Sequence, residues 1–383
     1  MKPHNISVFL VGGARPNFMK VAPLYHAFRA SQLFDVTLVN TGQHYDDRLA
    51  GGFFRDLSLP DPDISLNVGS GTHATQTARV LERFEPELYE HEPDLVVVVG
   101  DVNSTIACAL AAAKVVYADG RRPKVAHVEA GLRSFDRTMP EEINRILCDA
   151  ISDFLFVTEE SGVRHLTKEG VDASRIFLVG NVMIDTLRQQ AAAAETMAAW
   201  TRFGVAERRY AVATLHRPSN VDDDRMLEAL MQSLADVSAL LPVIFPVHPR
   251  TRARLEKLAF PVPEELQLCE PLPYVEFLSL VMKARLVLTD SGGIQEETTC
   301  LGVPCLTLRE NTERPVTVTH GTNRVIGTRP ETILAEVRQA LLRPMPPAAA
   351  PPLWDGAAAT RIVEILGRRF ASQRSQFSVV SSQ

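Results

Sequence analysis

Residues 286–297 have the sequence LVLTDSGGIQEE, which predicts a buried strand, a glycine turn and the first turn of a helix. The apolar run 286–288 leads to Ser291-Gly292-Gly293, where two glycines allow a ligand to approach the backbone closely. The free N–H groups of the helix that begins there would face the same turn, and such a helix start favours an anion. The stretch therefore predicts a phosphate-binding strand–turn–helix unit of an α/β fold.

The same succession of apolar run and helical segment recurs along the whole chain. Continuous apolar runs are typical of parallel strands that are covered by helices on both faces. The runs occupy residues 7–11, 36–39, 95–99, 125–128, 154–157 and 176–179 in a first series, and residues 210–215, 243–247, 286–288 and 305–308 in a second. The pattern predicts an α/β protein with two Rossmann-like, doubly wound domains.

Length and local composition suggest where these two domains begin and end. A chain of 383 residues exceeds the usual size of a single core. We expect an N-terminal domain over residues 1–181 and a second domain over residues 182–354. The Pro- and Ala-rich stretch 344–352 leads to a predicted helix, 355–371, that could cross back to the first domain. Residues 372–383 are polar, and we expect a flexible tail there.

The bulk composition excludes several classes of protein. Hydrophobic residues make up 45% and charged residues 22% of the chain, which is ordinary for a globular protein. The 40 Lys and Arg residues against 46 Asp and Glu residues give a net charge of -6, so a nucleic-acid binder with a basic surface is not expected. No apolar run reaches the length of a membrane span, and we expect no membrane partner.

The five cysteines favour a reducing compartment. Their number is odd and none forms a C-x-x-C pair, so a complete set of intramolecular disulfides is impossible. No signal-peptide pattern precedes the first apolar run. We therefore expect a cytoplasmic protein with free thiols.

The end of the first predicted strand combines Gly12-Gly13 with the cations Arg15 and Lys20. Ligands of open α/β sheets bind outside the carboxyl ends of the strands, so both cations are candidates for contact with an anionic ligand. The spacing is neither G-x-G-x-x-G nor G-x-x-x-x-G-K-[ST], which excludes a dinucleotide fingerprint and a P-loop. A solvated pair of loop charges is the alternative interpretation.

Three carboxylates, Asp101, Glu129 and Glu141, follow later strands of the first domain. A carboxylate in apolar surroundings is costly unless it is paired or functional, and a cluster of carboxylates suits general acid–base catalysis. Structural interpretations stay open beside the catalytic one. Asp101 could cap the next helix, and Glu141 could form a capping box with Thr138 or an ion pair with Arg145.

Basic residues end two adjacent strands of the second domain. His216 and Arg217 end the first of them, and His248 and Arg250 end the second. Two His-Arg pairs at neighbouring strand ends suit diphosphate binding. A single histidine at such a position would more often be structural.

Further candidates for nucleotide binding follow the glycine turn. Glu296 or Glu297, one helical turn beyond it, could accept two hydrogen bonds from a ribose diol. Arg309 and Arg314 add cations nearer the end of the chain. No H-E-x-x-H motif and no cysteine cluster is present, so we expect no metal site.

Taken together, these motifs resemble the non-hydrolysing UDP-N-acetylglucosamine 2-epimerases over about residues 6–329. The segments that carry the resemblance are GARPNFMK (13–20), TGQHYDDRL (41–49), VVGDVNST (98–105), HVEAGLRSFDRTMPEEINR (127–145), TLHRPSNVDD (214–223), FPVHPR (245–250) and TDSGGIQEETTCLGVPCLTLRENTERPVTVTHGTN (289–323). The resemblance implies a glycosyltransferase-B-like architecture, in which two Rossmann-like domains enclose a central cleft.

The resemblance also implies a reaction. UDP-GlcNAc and UDP-ManNAc would be interconverted by anti elimination of UDP, which gives 2-acetamidoglucal, followed by re-addition of UDP and protonation from the other face. Such an isomerase needs no cofactor and forms a homodimer, and its partner is the UDP-sugar substrate.

Roles for single residues follow from the same resemblance. Asp101, Glu129 and Glu141 match the essential carboxylates, and His216 matches the histidine near the diphosphate. The other matched positions contact sugar nucleotide: Arg15 and Lys20 face the substrate, Ser291, Gly292 and Gly293 hold phosphate, Glu297 binds ribose, Arg314 is a further cation, and Gln43 and His44 lie near a second, activating UDP-sugar.

The identity of the sugar and the fate of UDP stay open. Asn17 and Ser219 stand where many members carry Glu, and relatives with a similar first loop act on UDP-2,3-diacetamido sugars or their uronates. A hydrolysing UDP-GlcNAc 2-epimerase, which releases UDP, is the nearest alternative. A UDP-sugar glycosyltransferase and a non-catalytic UDP-sugar sensor are more distant. A NAD-dependent epimerase is poorly supported, because the chain has no Y-x-x-x-K motif.

Overall fold

The computed structural model describes residues 5–42, 54, 56–346, 348 and 350–380, and the side chains of all of these except 15, 16 and 373–380. The chain divides into two compact units. The first comprises Met1–Thr186 and Pro352–Gln383, and the second comprises Leu187–Pro351. Within the described residues, no helix is both long and apolar enough to span a membrane.

Seven parallel strands form the sheet of the first unit, in the order β3-β2-β1-β4-β5-β6-β7. The strands are β1 (Ile6–Gly12), β2 (Phe34–Asn40), β3 (Ile64–Ser65), β4 (Leu95–Val99), β5 (Lys124–Ala130), β6 (Phe154–Val157) and β7 (Ile176–Leu178). Strands β1 and β4 are neighbours although β2 and β3 lie between them in sequence, so the winding reverses there. Such a reversal opens a crevice at the carboxyl ends of the strands.

Helices connect these strands as the apolar pattern predicts. They are α1 (Arg15–Ala30), α2 (His73–His91), α3 (Asn103–Lys114), α4 (Pro140–Ile151), α5 (Glu160–Lys168) and α6 (Val182–Met197), the last of which continues into the second unit. All five residues of β4 are buried, which explains its unbroken Val-rich sequence.

The end of the chain packs on the first unit. Helix α14 (Ala358–Val380) begins after Trp354, whose indole N–H donates to the carbonyl oxygen of Thr158 at 2.9 Å. The carboxylate of Asp185 accepts from the backbone N–H groups of Ala358 and Ala359 and so caps this helix. Helix α14 continues through residues 372–380, and the flexible tail expected over residues 372–383 stays a prediction.

Six parallel strands form the sheet of the second unit, in the order β10-β9-β8-β11-β12-β13. The strands are β8 (Ala211–Thr214), β9 (Val243–Pro246), β10 (Leu266–Cys269), β11 (Leu286–Thr289), β12 (Cys305–Thr307) and β13 (Asn323–Val325). The winding reverses between β8 and β11. The helices are α7 (Pro218–Val221), α8 (Asp224–Ser238), α9 (Pro249–Leu258), α10 (Tyr274–Lys283), α11 (Gly292–Leu301), α12 (Val316–Thr319) and α13 (Pro330–Leu342).

Candidate active site

In the first unit, Lys20 and Glu129 meet beside the carboxyl ends of β1, β4 and β5. The Lys20 ammonium group forms an ion pair with the Glu129 carboxylate, and both side chains are largely buried. Gly100, which follows β4, lies directly beneath the pair. A Cβ atom at Gly100 would be 3.3 Å from Lys20 Nζ and 3.5 Å from Glu129 Oε2. The absence of a side chain at Gly100 therefore leaves room for the two charged groups.

The backbone of Glu129 is strained. Its φ angle is 77°, in the left-handed region that glutamate rarely adopts. The pairing of β5 with β6 also shifts register between Val128 and Ala130, on either side of it. Bulges and positive φ angles persist where a side chain must be aimed away from the regular pleat. The irregularity aims Glu129 at Lys20.

Asp101 is held by a long-range ion pair. Its Oδ2 atom lies 2.5 Å from Nη1 of Arg145, and Arg145 also binds Glu142. The interpretation of Asp101 as a helix cap is wrong, because α3 has Val102 at its N-cap and no side-chain cap. Asn144, the preceding residue of α4, donates to the Asp101 carbonyl oxygen at 2.9 Å, so this part of α4 lies against the turn after β4.

Glu142, which the sequence did not single out, anchors the loop between β5 and α4. It is 1% exposed and accepts from the backbone N–H groups of Ser134 and Phe135 at 3.0 and 2.9 Å. Burial opposes its ionisation, but these bonds and Arg145 hold the pKa of Glu142 below its usual range. A carboxylate beside an arginine three residues later was the available signal.

Glu141 is half-buried in the first turn of α4 and has no hydrogen-bond or ion-pair partner among the described residues. The capping box with Thr138 is wrong. Met139 is the N-cap of α4, and the Thr138 hydroxyl donates to Asp136 instead, at 2.6 Å. A carboxylate without a protein partner is available for a ligand or a proton.

In the second unit, Asp290 organises the residues after β8. It is fully buried and accepts from the backbone N–H groups of His216 and Arg217 and from the Asn220 amide. Nδ1 of His216 lies 2.6 Å from Asp290 Oδ1, which leaves the rest of the half-exposed imidazole ring for a ligand. Burial opposes the charge on Asp290, yet these donors lower the pKa of Asp290.

Three arginines surround one carboxylate near the start of α11. Glu313 lies 3.1 Å from Arg217, 2.8 Å from Arg309 and 2.8 Å from Arg314. Burial opposes ionisation, but the three guanidinium groups hold the pKa of Glu313 well below its usual range. Nε of Arg217 and Nη1 of Arg309 are buried donors without a hydrogen-bond partner among the described residues. The cluster is rich in donors for an anion.

Gly292 is the first residue of α11, after the N-cap Ser291, and it packs against this cluster. A Cβ atom at Gly292 would lie 2.5 Å from Nη1 of Arg314. Arg314 Nε also donates to Glu296, at 2.7 Å. Gly293 follows in the same first turn, so the predicted Ser-Gly-Gly turn is formed with Arg314 beside it.

Glu297 is buried one turn further along α11 and accepts a hydrogen bond from the Tyr274 hydroxyl at 2.9 Å. Of the two acidic residues considered for ribose binding, Glu296 is engaged by Arg314. Tyr274 was not predicted as part of the site, since it lies 23 residues away on α10.

Other predicted positions are less enclosed. His248 caps α9, its Nδ1 accepting from the backbone N–H of Arg250 at 3.3 Å, and both residues are exposed. The Arg250 side chain forms an ion pair with Asp222 at 2.8 Å. Arg15 begins α1, but its side chain lies outside the described part of the structure, as do Gln43 and His44.

The fold and these residues define an α/β enzyme of the glycosyltransferase-B-like class. A family model described as UDP-N-acetylglucosamine 2-epimerase matches residues 26–367. The chain belongs to this family, which is a family of isomerases. The predicted family and the predicted fold class are thus confirmed.

Individual relatives are similar over nearly their whole length. The UDP-N-acetylglucosamine 2-epimerase of Methanocaldococcus jannaschii is 40% identical over 366 residues, covering 93% of this chain and 98% of that protein. The crystal structure of the Methanocaldococcus jannaschii enzyme in complex with UDP-GlcNAc and UDP gives a TM-score of 0.86 at 39% identity, covering 94% and 99% of the two chains. The UDP-2,3-diacetamido-2,3-dideoxy-D-glucuronate 2-epimerase of Pseudomonas aeruginosa is 37% identical over 368 residues, covering 95% and 100%.

Proposed function

We propose that this protein is a non-hydrolysing epimerase that interconverts UDP-N-acetylglucosamine and UDP-N-acetylmannosamine. UDP leaves by anti elimination, and it returns to the 2-acetamidoglucal intermediate while carbon 2 is protonated from the opposite face. The observation that carries the proposal is the set of three carboxylates in the first unit: Glu129 bound by Lys20, Asp101 bound by Arg145, and Glu141 without a partner in the described part of the chain.

The carboxylates supply what the reaction at carbon 2 requires. The proton on carbon 2 is not acidified by a ketone, so its removal must accompany the departure of UDP. Inversion needs one group that removes the proton and a second that delivers a proton to the other face. Asp101, Glu129 and Glu141 offer these roles, and the cations Lys20 and Arg145 keep two of them oriented.

The second unit supplies the groups that stabilise the leaving diphosphate. The N-terminus of α11 carries Ser291, Gly292 and Gly293, where the backbone N–H groups of Gly292 and Gly293 begin the helix, and Arg314 packs beside it. His216 is held by Asp290, so its ring is oriented before the ligand arrives. Fixed donors of this kind stabilise charge that grows on a departing group. We assign His248 and Arg250 an auxiliary electrostatic role, because both are exposed.

Glu297 is proposed as the ligand of the ribose hydroxyls. Its carboxylate lies on α11 one turn beyond the glycines that we propose to hold the diphosphate. Gln43 and His44 remain proposed contacts of a second, activating UDP-sugar, and Arg15 a proposed contact of the substrate. We also infer that the enzyme acts in the cytoplasm as a homodimer, which sedimentation equilibrium would test.

The substrate could carry further substituents. The UDP-2,3-diacetamido-2,3-dideoxy-D-glucuronate 2-epimerase of Pseudomonas aeruginosa is 37% identical to this chain over 368 residues. The second candidate function is therefore 2-epimerisation of a UDP-2,3-diacetamido sugar or its uronate, with the same acid–base groups.

Incubation with UDP-GlcNAc in deuterated water, followed by NMR, tests the proposal. We expect UDP-ManNAc with deuterium at carbon 2 and no accumulation of free UDP. Asp101→Asn and Glu129→Gln should abolish turnover while UDP still binds. Release of UDP in step with sugar conversion would identify a hydrolysing enzyme. Turnover of the diacetamido uronate alone would identify it as the substrate of the same reaction. Normal turnover by both variants would refute the mechanism.

A further inference from the structure

His127 lies in β5, completely buried, and each of its ring nitrogens faces an oxygen atom. Nδ1 is 2.7 Å from Oδ1 of Asp149, and Nε2 is 2.8 Å from the carbonyl oxygen of Gly100. A neutral imidazole carries one N–H group and can donate to only one of these oxygens. The carbonyl oxygen of Gly100 can only accept a hydrogen bond. The protonation state of Asp149 therefore decides whether the ring must carry two N–H groups.

Asp149 is held in its charged form by other donors. Its Oδ2 atom lies 2.7 Å from Nη2 of Arg133 and accepts from the backbone N–H of Gly131 at 3.1 Å. Burial opposes the charge, but His127 and Arg133 lower the pKa of Asp149. A carboxylate that accepts two or three such bonds stays ionised. Only an imidazolium ring can then donate a hydrogen bond both to the Asp149 carboxylate and to the Gly100 carbonyl oxygen.

The other groups that face the ring agree with this charge state. Cys148 on α4 also contacts it, and Cys148 is buried. Burial alone would lower the pKa of His127, but Cys148 and Asp149 outweigh it, and the pKa is raised well above its usual value. Arg133, the nearest cation in this network, is itself paired with Asp149 and with Glu169.

The hydrogen bonds of His127 join the two backbone segments that carry the catalytic carboxylates. Gly100 directly precedes Asp101, and its φ angle is 72°. Gly100 also lies beneath the Lys20–Glu129 ion pair, since a Cβ atom at Gly100 would be 3.3 Å from Lys20 Nζ and 3.5 Å from Glu129 Oε2. On the other side, Asp149 binds the N–H of Gly131, two residues after Glu129. The ring therefore fixes the turn after β4 and, through Asp149, the end of β5.

We propose that His127 is a positioning residue: a permanently charged imidazolium that fixes the backbone beneath Asp101 and Glu129 and so sets the geometry of proton transfer at carbon 2. The inference rests on the proposed function. It deepens that function, because it adds a charged side-chain contact to the backbone hydrogen bond from Gly100 N–H to the Val128 carbonyl oxygen, 3.0 Å long, that joins the two strand ends. A neutral core histidine is the alternative, and it would leave one of the two oxygens without a donor.

The charge state can be measured on the wild-type protein. The chain has ten histidines, and the Nδ1 and Nε2 signals of His127 in a histidine-labelled sample are those missing from the His127→Gln variant. We expect both nitrogens to be protonated at about pH 8, where an ordinary histidine, with a pKa of about 6.5, has become neutral. A neutral tautomer at this pH would overturn the proposal.

Kinetics separate positioning from folding. We expect His127→Gln to lower kcat about 100-fold, since a displacement of about 1 Å is enough for such a loss, with KM changed by no more than about threefold. Its UDP affinity should equal that of the wild type. His91→Gln is the matched control, because His91 ends α2 with a side chain that is 42% exposed and pairs with Glu87 on the same helix. Unchanged kcat, or a loss that only follows the fraction of unfolded protein, would overturn the proposal.

A second variant covers the case in which His127→Gln does not fold. Asp149→Asn keeps an oxygen atom opposite Nδ1 but removes the negative charge. We expect the ring of His127 to become neutral at pH 8 and kcat to fall by a similar factor. A ring that stays charged, or an unchanged kcat, would contradict the proposal. Absence of deuterium at carbon 2 with the wild type would instead refute the proposed function, and the NMR result would still decide the charge state.

Discussion

Glu297 illustrates how burial sets the chemistry of a single carboxyl group. The side chain is 3% exposed, and its hydrogen-bond partner is the Tyr274 hydroxyl. Burial raises the pKa of Glu297 to about 7; the Tyr274 bond acts in the opposite direction, and Glu296 adds to the increase. A group with such a pKa is partly protonated near neutral pH, so a ligand that prefers the charged form must displace a proton.

UDP-GlcNAc binding should therefore release a proton near pH 7. Ribose hydroxyls that donate to Glu297 stabilise the carboxylate and lower its pKa in the complex. Affinity should rise with pH up to the pKa of about 7, by at most about tenfold per pH unit, and stay level above it. Calorimetry in buffers of different ionisation enthalpy counts the protons. Glu297→Gln should release none, and proton release by that variant would contradict the assignment.

The role of Gly292 can be tested by adding a single methyl group. Gly292→Ala would place a Cβ atom 2.5 Å from Nη1 of Arg314 and 2.8 Å from its Cζ. Arg314 is buried between Glu296 and Glu313, so it can move only by losing ion pairs. We expect UDP-GlcNAc affinity to fall about tenfold or more and the second unit to lose about 1–3 kcal/mol of stability, as overpacked sites do.

Gly71→Ala is the control for this substitution. A Cβ atom at Gly71 would meet its nearest neighbour, Thr75, at an ordinary 3.5 Å. Isothermal titration of UDP-GlcNAc and thermal unfolding should be unchanged in that variant. Equal affinities for Gly292→Ala and the wild type would show that Arg314 does not shape the nucleotide site.

At the scale of helices and strands, the sequence predicts most of the fold because buried parallel strands have an unmistakable pattern. The five residues of β4 are all apolar and all buried. The short strands β3, β10 and β13 were not predicted, since two to four partly exposed residues carry little apolar signal. The polar residues at the carboxyl ends of the strands were predictable as well, because the end of each apolar run marks where its strand ends.

The contacts among those residues were not predictable, because they join distant parts of the chain. Local rules offered a helix cap for Asp101 and a capping box for Glu141 as structural alternatives to the catalytic roles. The structure instead pairs Asp101 with Arg145, 44 residues further on. Asp290, which binds His216 from 74 residues away, escaped attention likewise. Spacing identifies side chains that share a helix face, but it does not identify partners that the topology brings together.

Asp185 gives a prediction for a whole element, helix α14. Burial raises the pKa of Asp185 to about 6, although the hydrogen bonds from the N–H groups of Ala358 and Ala359 act in the opposite direction. Because the folded-state pKa exceeds the unfolded value of about 4, the contribution of Asp185 is most favourable below pH 4 and is lost as pH rises to about 6. In Asp185→Asn this loss is absent.

The difference in unfolding free energy between the wild type and Asp185→Asn should therefore change with pH. The wild type should lose up to about 3 kcal/mol relative to the variant between about pH 4 and about pH 7. Urea unfolding at several pH values, monitored by Trp354 fluorescence, measures the difference. Parallel pH profiles for the two proteins would show that the carboxyl group is not protonated in the native state.

For the whole molecule, the chain leaves the first unit after Thr186 and returns to it at Pro352. The returning segment contributes Trp354, Ile362 and Leu366 to the interior of that unit, each of them no more than 1% exposed. Fully burying a large apolar side chain is worth about 1.5–3 kcal/mol, so the three together are worth about 5 kcal/mol or more. That is comparable with the entire stability of an ordinary domain.

Deletion of residues 352–383 should therefore unfold the first unit and leave the second unit folded. We expect the truncated protein to keep UDP binding, because the arginines and the start of α11 lie within Leu187–Pro351, and to lose epimerisation, because its carboxylates lie in the destabilised unit. Hydrogen exchange resolved by peptide would show full exchange over β1, β4 and β5 and protection over β8 and β11. Trp354→Phe, which loses the indole N–H that donates to Thr158 and part of the buried ring, should cost about 1 kcal/mol or more and keep both activities. Turnover at the wild-type rate by the truncated protein would contradict this prediction. The first unit would then hold its carboxylates in place without the segment that completes its core.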